Sequence, residues 1–260
     1  MSGAEATQAV LHIAHISTRA RRAELLASFV QQFGWTVQSG PFSGMVLPSR
    51  TQWGDGDTLP KLIGCYEAEL HEVLASLVEQ RPGLVVNVGA AEGYYAVGLA
   101  RLLPDTFVHA FDSVEAAADI CREAARLNSV EARVSVAGAC SPVLLQHLLA
   151  RTTKPVLLCD CEGCERELID PSQVPALTGT TIVVECHDFI DPSITRTVVN
   201  RLTASHEMFG VREGPRDPNA VPFLQDLNSL DRWIAVCEYR PCTMHWMVAR
   251  RMVARPKATG

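Results

Sequence analysis

The stretch "LVVNVGAAEGYYAVGLARLLPDTFVHAFDSV", residues 84–114, decides the fold. It opens with a short, largely apolar run, breaks at Gly89, resumes at helical spacing, and ends in a second apolar run that stops at Asp112. A buried strand, a tight glycine turn, a helix and another buried strand make one βαβ unit, whose crossover requires the two strands to be parallel. The same alternation continues. Apolar runs at 107–111, 133–136, 156–159 and 181–185 read as strands, and 93–103, 114–127, 141–150, 164–170 and 193–206 read as the helices around them. Short apolar strands alternating with helices predict an α/β, doubly wound, mostly parallel sheet. Near the C-terminus, 232–238 and 244–250 are separated by only a few residues, which predicts a hairpin and hence an antiparallel last strand.

Upstream of that unit the pattern differs. Residues 4–33 read as one or two helices, with Leu25, Leu26, Phe29, Val30 and Phe33 on a stripe and Gly34 as the stop. Residues 35–48 suggest two short extended pieces, 51–62 a loop in which Trp53 and Lys61 carry weak functional claims, and 63–80 an amphipathic helix ended by Pro82 and Gly83. Residues 214–222, "GPRDPNAVP", read as a loop.

With 47% apolar and 20% charged residues among 260, the chain can bury a substantial core. A net charge of −6 argues against nucleic acid as a partner. No run approaches the ~18 apolar residues of a membrane span, and no basic-then-apolar leader opens the chain, so neither membrane nor export is expected. Nine cysteines, an odd number, then suggest reduced thiols in a cytoplasmic protein.

In a doubly wound sheet the ligand lies beyond the carboxyl ends of the strands, where the strand order reverses. Gly89 and Gly93 let the turn after the first strand bend tightly there. A dinucleotide is a poor fit, because Ala91 stands where the second glycine of GxGxxG belongs and Glu92 would repel a diphosphate. Asp112, some twenty residues on, could accept both hydroxyls of a ribose. A phosphate-free adenosine bearing a positive centre satisfies both observations. Gly138, Ala139 and Cys140 follow the third strand and offer small groups to line an adenine pocket.

At this point the chain resembles the class I S-adenosylmethionine (SAM)-dependent methyltransferases, and among them the FkbM-type family. The resemblance covers about residues 84–250 and rests on "VVNVGAAEGYYAVGLA", "VHAFDSV", "EAARLNSV", "VLLCDCEGCERELI" and "TIVVECHDF". Asp112 stands where the family commonly has Glu, and the cysteine-rich "CDCEGCE" is unusual for it. The resemblance implies a seven-stranded Rossmann-like core over 79–255 and an N-terminal helical extension over 1–78, which with 210–222 would act as a lid. It implies SAM as cofactor, with Asn87, Gly89, Ala90, Ala91, Glu92, Gly93, Tyr95, Asp112, Ser113, Gly138, Ala139 and Asp160 around it, and with Tyr66 reaching it from the extension.

Asp160 and Glu162 follow the fourth strand; Glu185, His187 and Asp188 follow the fifth. The strands are neighbours in this fold, so the groups could converge in either of two ways. His187 could be a general base on a substrate hydroxyl, with Asp160 and Glu185 assisting. Alternatively Asp160, Glu185 and Asp188 could hold Mg²⁺. Capping roles for Asp160 or Asp188 and a buried, satisfied histidine are the plainer alternatives. Cys159, Cys161 and Cys164, with Cys237, Cys242 and His245 later, lack zinc-site spacing and read as small buried residues. The expected activity is methyl transfer to a small-molecule acceptor, at oxygen in the first instance and in specialised metabolism. The alternatives are N-methylation of a small molecule or peptide, and a regulatory or scaffolding protein without turnover. A homo-oligomer through the N-terminal helices is the expected assembly.

Overall fold

The computed structural model describes residues 3–50 and 57–252. Trp53, the 51–56 part of the expected loop, and the last three residues of the expected 79–255 core lie outside the described residues.

Seven strands form one sheet: β1 (Leu84–Val88), β2 (Phe107–Phe111), β3 (Val134–Ala137), β4 (Pro155–Cys159), β5 (Thr181–Glu185), β6 (His206–Arg212) and β7 (His245–Arg251), in the order β3-β2-β1-β4-β5-β7-β6. β1 pairs in parallel with β2 and β4, β4 with β5, and β2 with β3, whereas β7 runs antiparallel to both β5 and β6. The architecture is therefore a doubly wound, mostly parallel, seven-stranded sheet with an antiparallel last strand. The chain winds outward from β1 to β3, returns, and continues from β4 on the other side, so the order reverses between β1 and β4. Their carboxyl ends, Val88 and Cys159, are register partners. That junction is where such a sheet opens a crevice for a ligand.

The period of two in a strand divides the sheet's faces. Leu84, Val86 and Val88 join Leu157, Cys159, Ile182 and Val184 in one buried cluster, covered by Leu145, Leu148 and Leu149 of α6 (Pro142–Leu149) and by Ile194, Val198 and Leu202 of α8 (Ile194–Leu202). Val85 and Asn87 therefore point to the opposite face.

By its contacts the chain divides into two compact units, residues 1–68 with 214–239, and residues 69–213 with 240–260. The second holds the sheet. The first is built on α1 (Gly3–Phe33), α2 (Thr58–Ile63) and α9 (Ser229–Val236). There the ring of Phe29 lies 4.9 Å from that of Phe33 and 5.0 Å from that of Phe223, and Arg21 makes two hydrogen bonds, 2.8 and 2.7 Å, to the Asp231 carboxylate. In the first half of α1, Val10, Leu11, Ile13 and Ile16 are exposed.

Several expected elements form differently, beginning with residues 58–62 of the expected loop, which form most of α2. The helix expected over 63–80 is interrupted: α2 ends at Ile63, Gly64 turns left-handed at φ +90°, and α3 (His71–Glu79) starts eight residues after Ile63. A Cβ at Gly64 would lie 2.0 Å from the Ser39 carbonyl oxygen, so only glycine fits this stop. The strand expected at 232–238 is instead helix α9, whose start is capped by Asn228 Oδ1 accepting from the Asp231 amide at 3.1 Å. Besides β5, the antiparallel partner of β7 is the edge strand β6, drawn from residues expected to close a helix and enter a loop.

Candidate functional site

The turn after β1 is fixed by hydrogen bonds from both sides. The Gly89 and Ala90 amides both donate to the Phe111 carbonyl at 2.9 Å, and Gly93 N donates to Ala90 O at 2.7 Å, starting α4 (Tyr94–Leu102). Gly89 and Gly93 have φ of +77° and +89°, the left-handed region where side chains are costly. What their missing Cβ atoms admit is the protein itself. A Cβ on Gly89 would fall 1.5 Å from the Asp160 carbonyl oxygen, and one on Gly93 2.7 Å from Cys121 Sγ on α5 (Glu115–Leu127). The glycines thus bring β1 against the end of β4, and α4 against α5.

Asp112 locks this turn to the tip of β2. One carboxylate oxygen accepts from the Ala91 amide at 2.8 Å, and the other from the Val114 amide at 2.9 Å. The first bond holds Ala91 at φ +45°, a conformation a non-glycine residue adopts only under constraint. Each carboxylate oxygen has a second lone pair, so the group retains acceptor capacity for a ligand. Glu92 and Tyr95 are buried, whereas Ser113 and Ala139 are exposed.

The acidic residues after β4 and β5 gather around His187. Its ring is buried, with Nδ1 2.6 Å from Glu165 Oε1 and Nε2 3.4 Å from both Asp160 Oδ1 and Glu185 Oε2. The other oxygen of Glu185 is paired with the Arg240 guanidinium. Burial alone would push the His187 imidazole down, but the hydrogen bond and charge of Glu165, with Glu185 and Glu162 nearby, outweigh it and raise the ring above its ordinary value. For Glu165, burial pushes the carboxyl up, and the hydrogen bond to His187 together with backbone donors reverses this and holds it low. Phe189, exposed, sets its ring 5.8 Å from that of His187.

Asp160, Glu185 and His187 present ligand atoms all within 4.8 Å of one another. Asp188, expected as a third carboxylate for Mg²⁺, is elsewhere: its oxygens accept from the Thr195 amide at 3.0 Å and the Thr195 hydroxyl at 2.5 Å, and 3.7 Å separates it from His245 Nε2. It anchors the start of α8. The all-oxygen set that suits Mg²⁺ does not assemble, and a guanidinium already neutralises part of Glu185.

Tyr66 belongs to the first unit, where the Lys61 ammonium lies 4.6 Å from its ring centre. Cys161 and Cys164 are joined as a disulfide, contrary to the expectation of reduced thiols throughout, and Cys159 Sγ lies 3.6 Å from Cys161 Sγ. Two members of the cluster, Glu165 and Arg240, were not singled out by the sequence. Glu165 opens the four-residue helix α7 (Glu165–Leu168), where an acidic first-turn residue reads as helix-terminus decoration.

The described residues fit an adenosine-type cofactor on three observations. Gly138, beyond β3, has no atom within 4 Å of where a Cβ would stand, so space is open there. Asn87 is buried at the end of β1 and its Oδ1 has no hydrogen-bond partner among the described residues. Asp112 offers unused acceptor capacity between them, with no phosphate-binding cation required.

No known family model matches the chain, and no curated protein matches it. Among solved structures, similar chains include an O-methyltransferase from Bacillus cereus in complex with S-adenosylhomocysteine (SAH), with 15% identity, a TM-score of 0.47, and coverage of 89% of this chain and 91% of that one. The O-methyltransferase TomG from Streptomyces achromogenes, in complex with SAM, gives 14% identity, a TM-score of 0.46, and coverage of 73% and 82%. TrmN from Thermus thermophilus gives 15%, 0.43, and coverage of 70% and 48%. At these values the likenesses do not say which molecules this chain binds.

Proposed function

We propose that the chain is a SAM-dependent methyltransferase of the FkbM type that acts on a small-molecule acceptor, at oxygen. One observation carries the reading: the Asp112-locked glycine turn stands at the β1/β4 switch point, and Asp160, on which Gly89 closes, belongs to the His187 cluster. Isothermal calorimetry with SAM and with SAH tests it. Micromolar binding is expected, and failure of both to bind below about 1 mM would remove the reading.

Bound SAM would supply an electrophilic methyl group. Asp112, Asn87 and the space beside Gly138 would hold the nucleoside, and Asp160 would stand between the cofactor and acceptor sides. His187 Nε2 would take the proton from an acceptor hydroxyl, and the carboxylates of Asp160 and Glu185 would stabilise the imidazolium that forms. Arg240 holds Glu185 in place through its guanidinium. An amine acceptor would need less help from a base, so O- and N-methylation separate by the effect of His187→Ala on turnover.

The reading extends to parts that rest on sequence position. These are residues 1–78 and 210–222 as a lid over the acceptor, a cytoplasmic location, a role in specialised metabolism, and no nucleic-acid or membrane partner. No helix among the described residues is long and apolar enough to cross a membrane. Homo-oligomerisation through the N-terminal helices is supported by the exposed Val10, Leu11, Ile13 and Ile16 of α1, and sedimentation of the intact chain tests it.

A further inference from the structure

We propose that Glu165 is the positioning residue for His187: its carboxylate holds a proton on Nδ1 and thereby makes Nε2 the nitrogen that exchanges protons beside Asp160 and Glu185. The inference deepens the general-base reading and rests on it for its catalytic meaning, although the geometry stands independently.

Glu165 is fully buried, and its Oε1 lies 2.6 Å from His187 Nδ1. The Cys161 amide reaches the same oxygen at 3.4 Å, while Oε2 has no hydrogen-bond partner among the described residues. An ionised carboxylate only accepts, so the hydrogen between Glu165 and the ring belongs to Nδ1. A free neutral imidazole can place its one proton on either nitrogen; here a buried acceptor decides. The groups facing the ring come from three segments: Asp160 after β4, Glu165 on α7, and Glu185 on β5, with Arg240 behind Glu185 and the exposed Glu162 adding its charge from the turn before α7. In the neutral ring the one proton stays on Nδ1, because its 2.6 Å contact with Glu165 is shorter than the 3.4 Å contacts of Nε2 with Asp160 and Glu185. Nε2 then carries the lone pair on the side of the two residues that the proposed function places near the acceptor. Catalytic histidines oriented by a second carboxylate follow the same logic.

The test reads the tautomer directly and needs no acceptor. The full chain is labelled with ¹⁵N at histidine, in chelator-treated buffer, above the pH at which the ring titrates, and the His187 signals are assigned by their loss in His187→Asn. The expected wild-type pattern is a protonated Nδ1 and a bare Nε2, and Glu165→Ala should shift it toward the Nε2–H form. A wild-type ring protonated at Nε2 overturns the proposal without any variant, as does a pattern unchanged in a folded Glu165→Ala. Glu165→Asp, which keeps a carboxylate on a shorter stem, should restore part of the Nδ1–H population if the alanine variant is poorly folded; no restoration overturns the proposal. SAH calorimetry on the same samples should show affinity within threefold of wild type. Turnover that survives His187→Ala while the wild-type ring shows Nδ1–H would remove the general base and leave the positioning by Glu165 in place.

Discussion

Replacing Gly89 by alanine should destabilise the protein through two separable costs. Gly89 sits at φ +77°, and holding an L-residue in that region costs about 1–2 kcal/mol. The new Cβ would also stand 1.5 Å from the Asp160 carbonyl oxygen, a backbone atom that cannot swing aside. Restoring contact distance requires the tip of β4 to retreat by roughly 2 Å, since carbon–oxygen contacts close at about 3.5 Å. That movement breaks the 2.9 Å bond from the Asp160 amide to Val88 O, worth about 1 kcal/mol. Together these amount to about 2–3 kcal/mol, or a loss of roughly 4–12 °C in Tm for a chain of this size. Gly138→Ala is the control, because nothing lies within 4 Å of the added atom and its φ is not in the left-handed range. Its stability should stay within about 0.5 kcal/mol of wild type, while on the proposed function SAH affinity should fall, because the methyl would enter the space proposed for the nucleoside. Urea denaturation and thermal scans of the two variants, with calorimetry of SAH on each, make the comparison. A Gly89→Ala variant melting within 2 °C of wild type would refute the close-approach argument.

Breaking the Cys161–Cys164 disulfide with a dithiol should cost about 2 kcal/mol, the entropy of a four-residue closed loop, and differential alkylation followed by mass spectrometry should protect both thiols until reductant is added; alkylation of both without reductant would disprove the bond. The Glu165–His187 pair should give stability a plateau at mildly acidic pH. Glu165, held low, contributes above its ordinary 4.5 and loses that contribution as pH falls through its folded value, whereas His187, held high, contributes below its ordinary 6.5 and loses it as pH rises through its folded value. Urea midpoints across pH 3–9 should show both shoulders in wild type and neither in Glu165→Gln; matching profiles would contradict the pairing. Chelator treatment should leave SAH binding and turnover unchanged, because Asp188 is committed to Thr195. A tenfold loss restored by Mg²⁺ would bring the metal back.

How much of this was legible in the sequence depends on whether a local pattern has one physical solution. The βαβ unit at 84–111 was legible because a short, valine-rich run closed by glycine and followed by residues at helical spacing tips the choice toward a buried strand. "RWIAV" in 232–236 was not, since a continuous apolar run fits a strand or a buried helix; the deciding signal was Asn228, three residues ahead of Asp231, an N-cap that length and hydropathy do not register. β6, "HEMFGVR", is an edge strand largely exposed along its length, so it lacks the apolar run that marked the others. The site divides along the same line. Asp112, Asp160, Glu185 and His187 each end or follow a strand and announced themselves by position, whereas Glu165 depends on the turn at Glu162 and Gly163, φ +56° and +109°, which folds α7 back toward His187. Nothing in "CEGCERE" distinguishes that inward carboxylate from the outward ones on either side, Glu162 and Glu167, because the direction is set by a tertiary contact 22 residues away. A residue selected by its partner rather than by its neighbours becomes visible only when the partner is in place, and for that reason the ring tautomer of His187 tests Glu165 better than any pattern in its own segment.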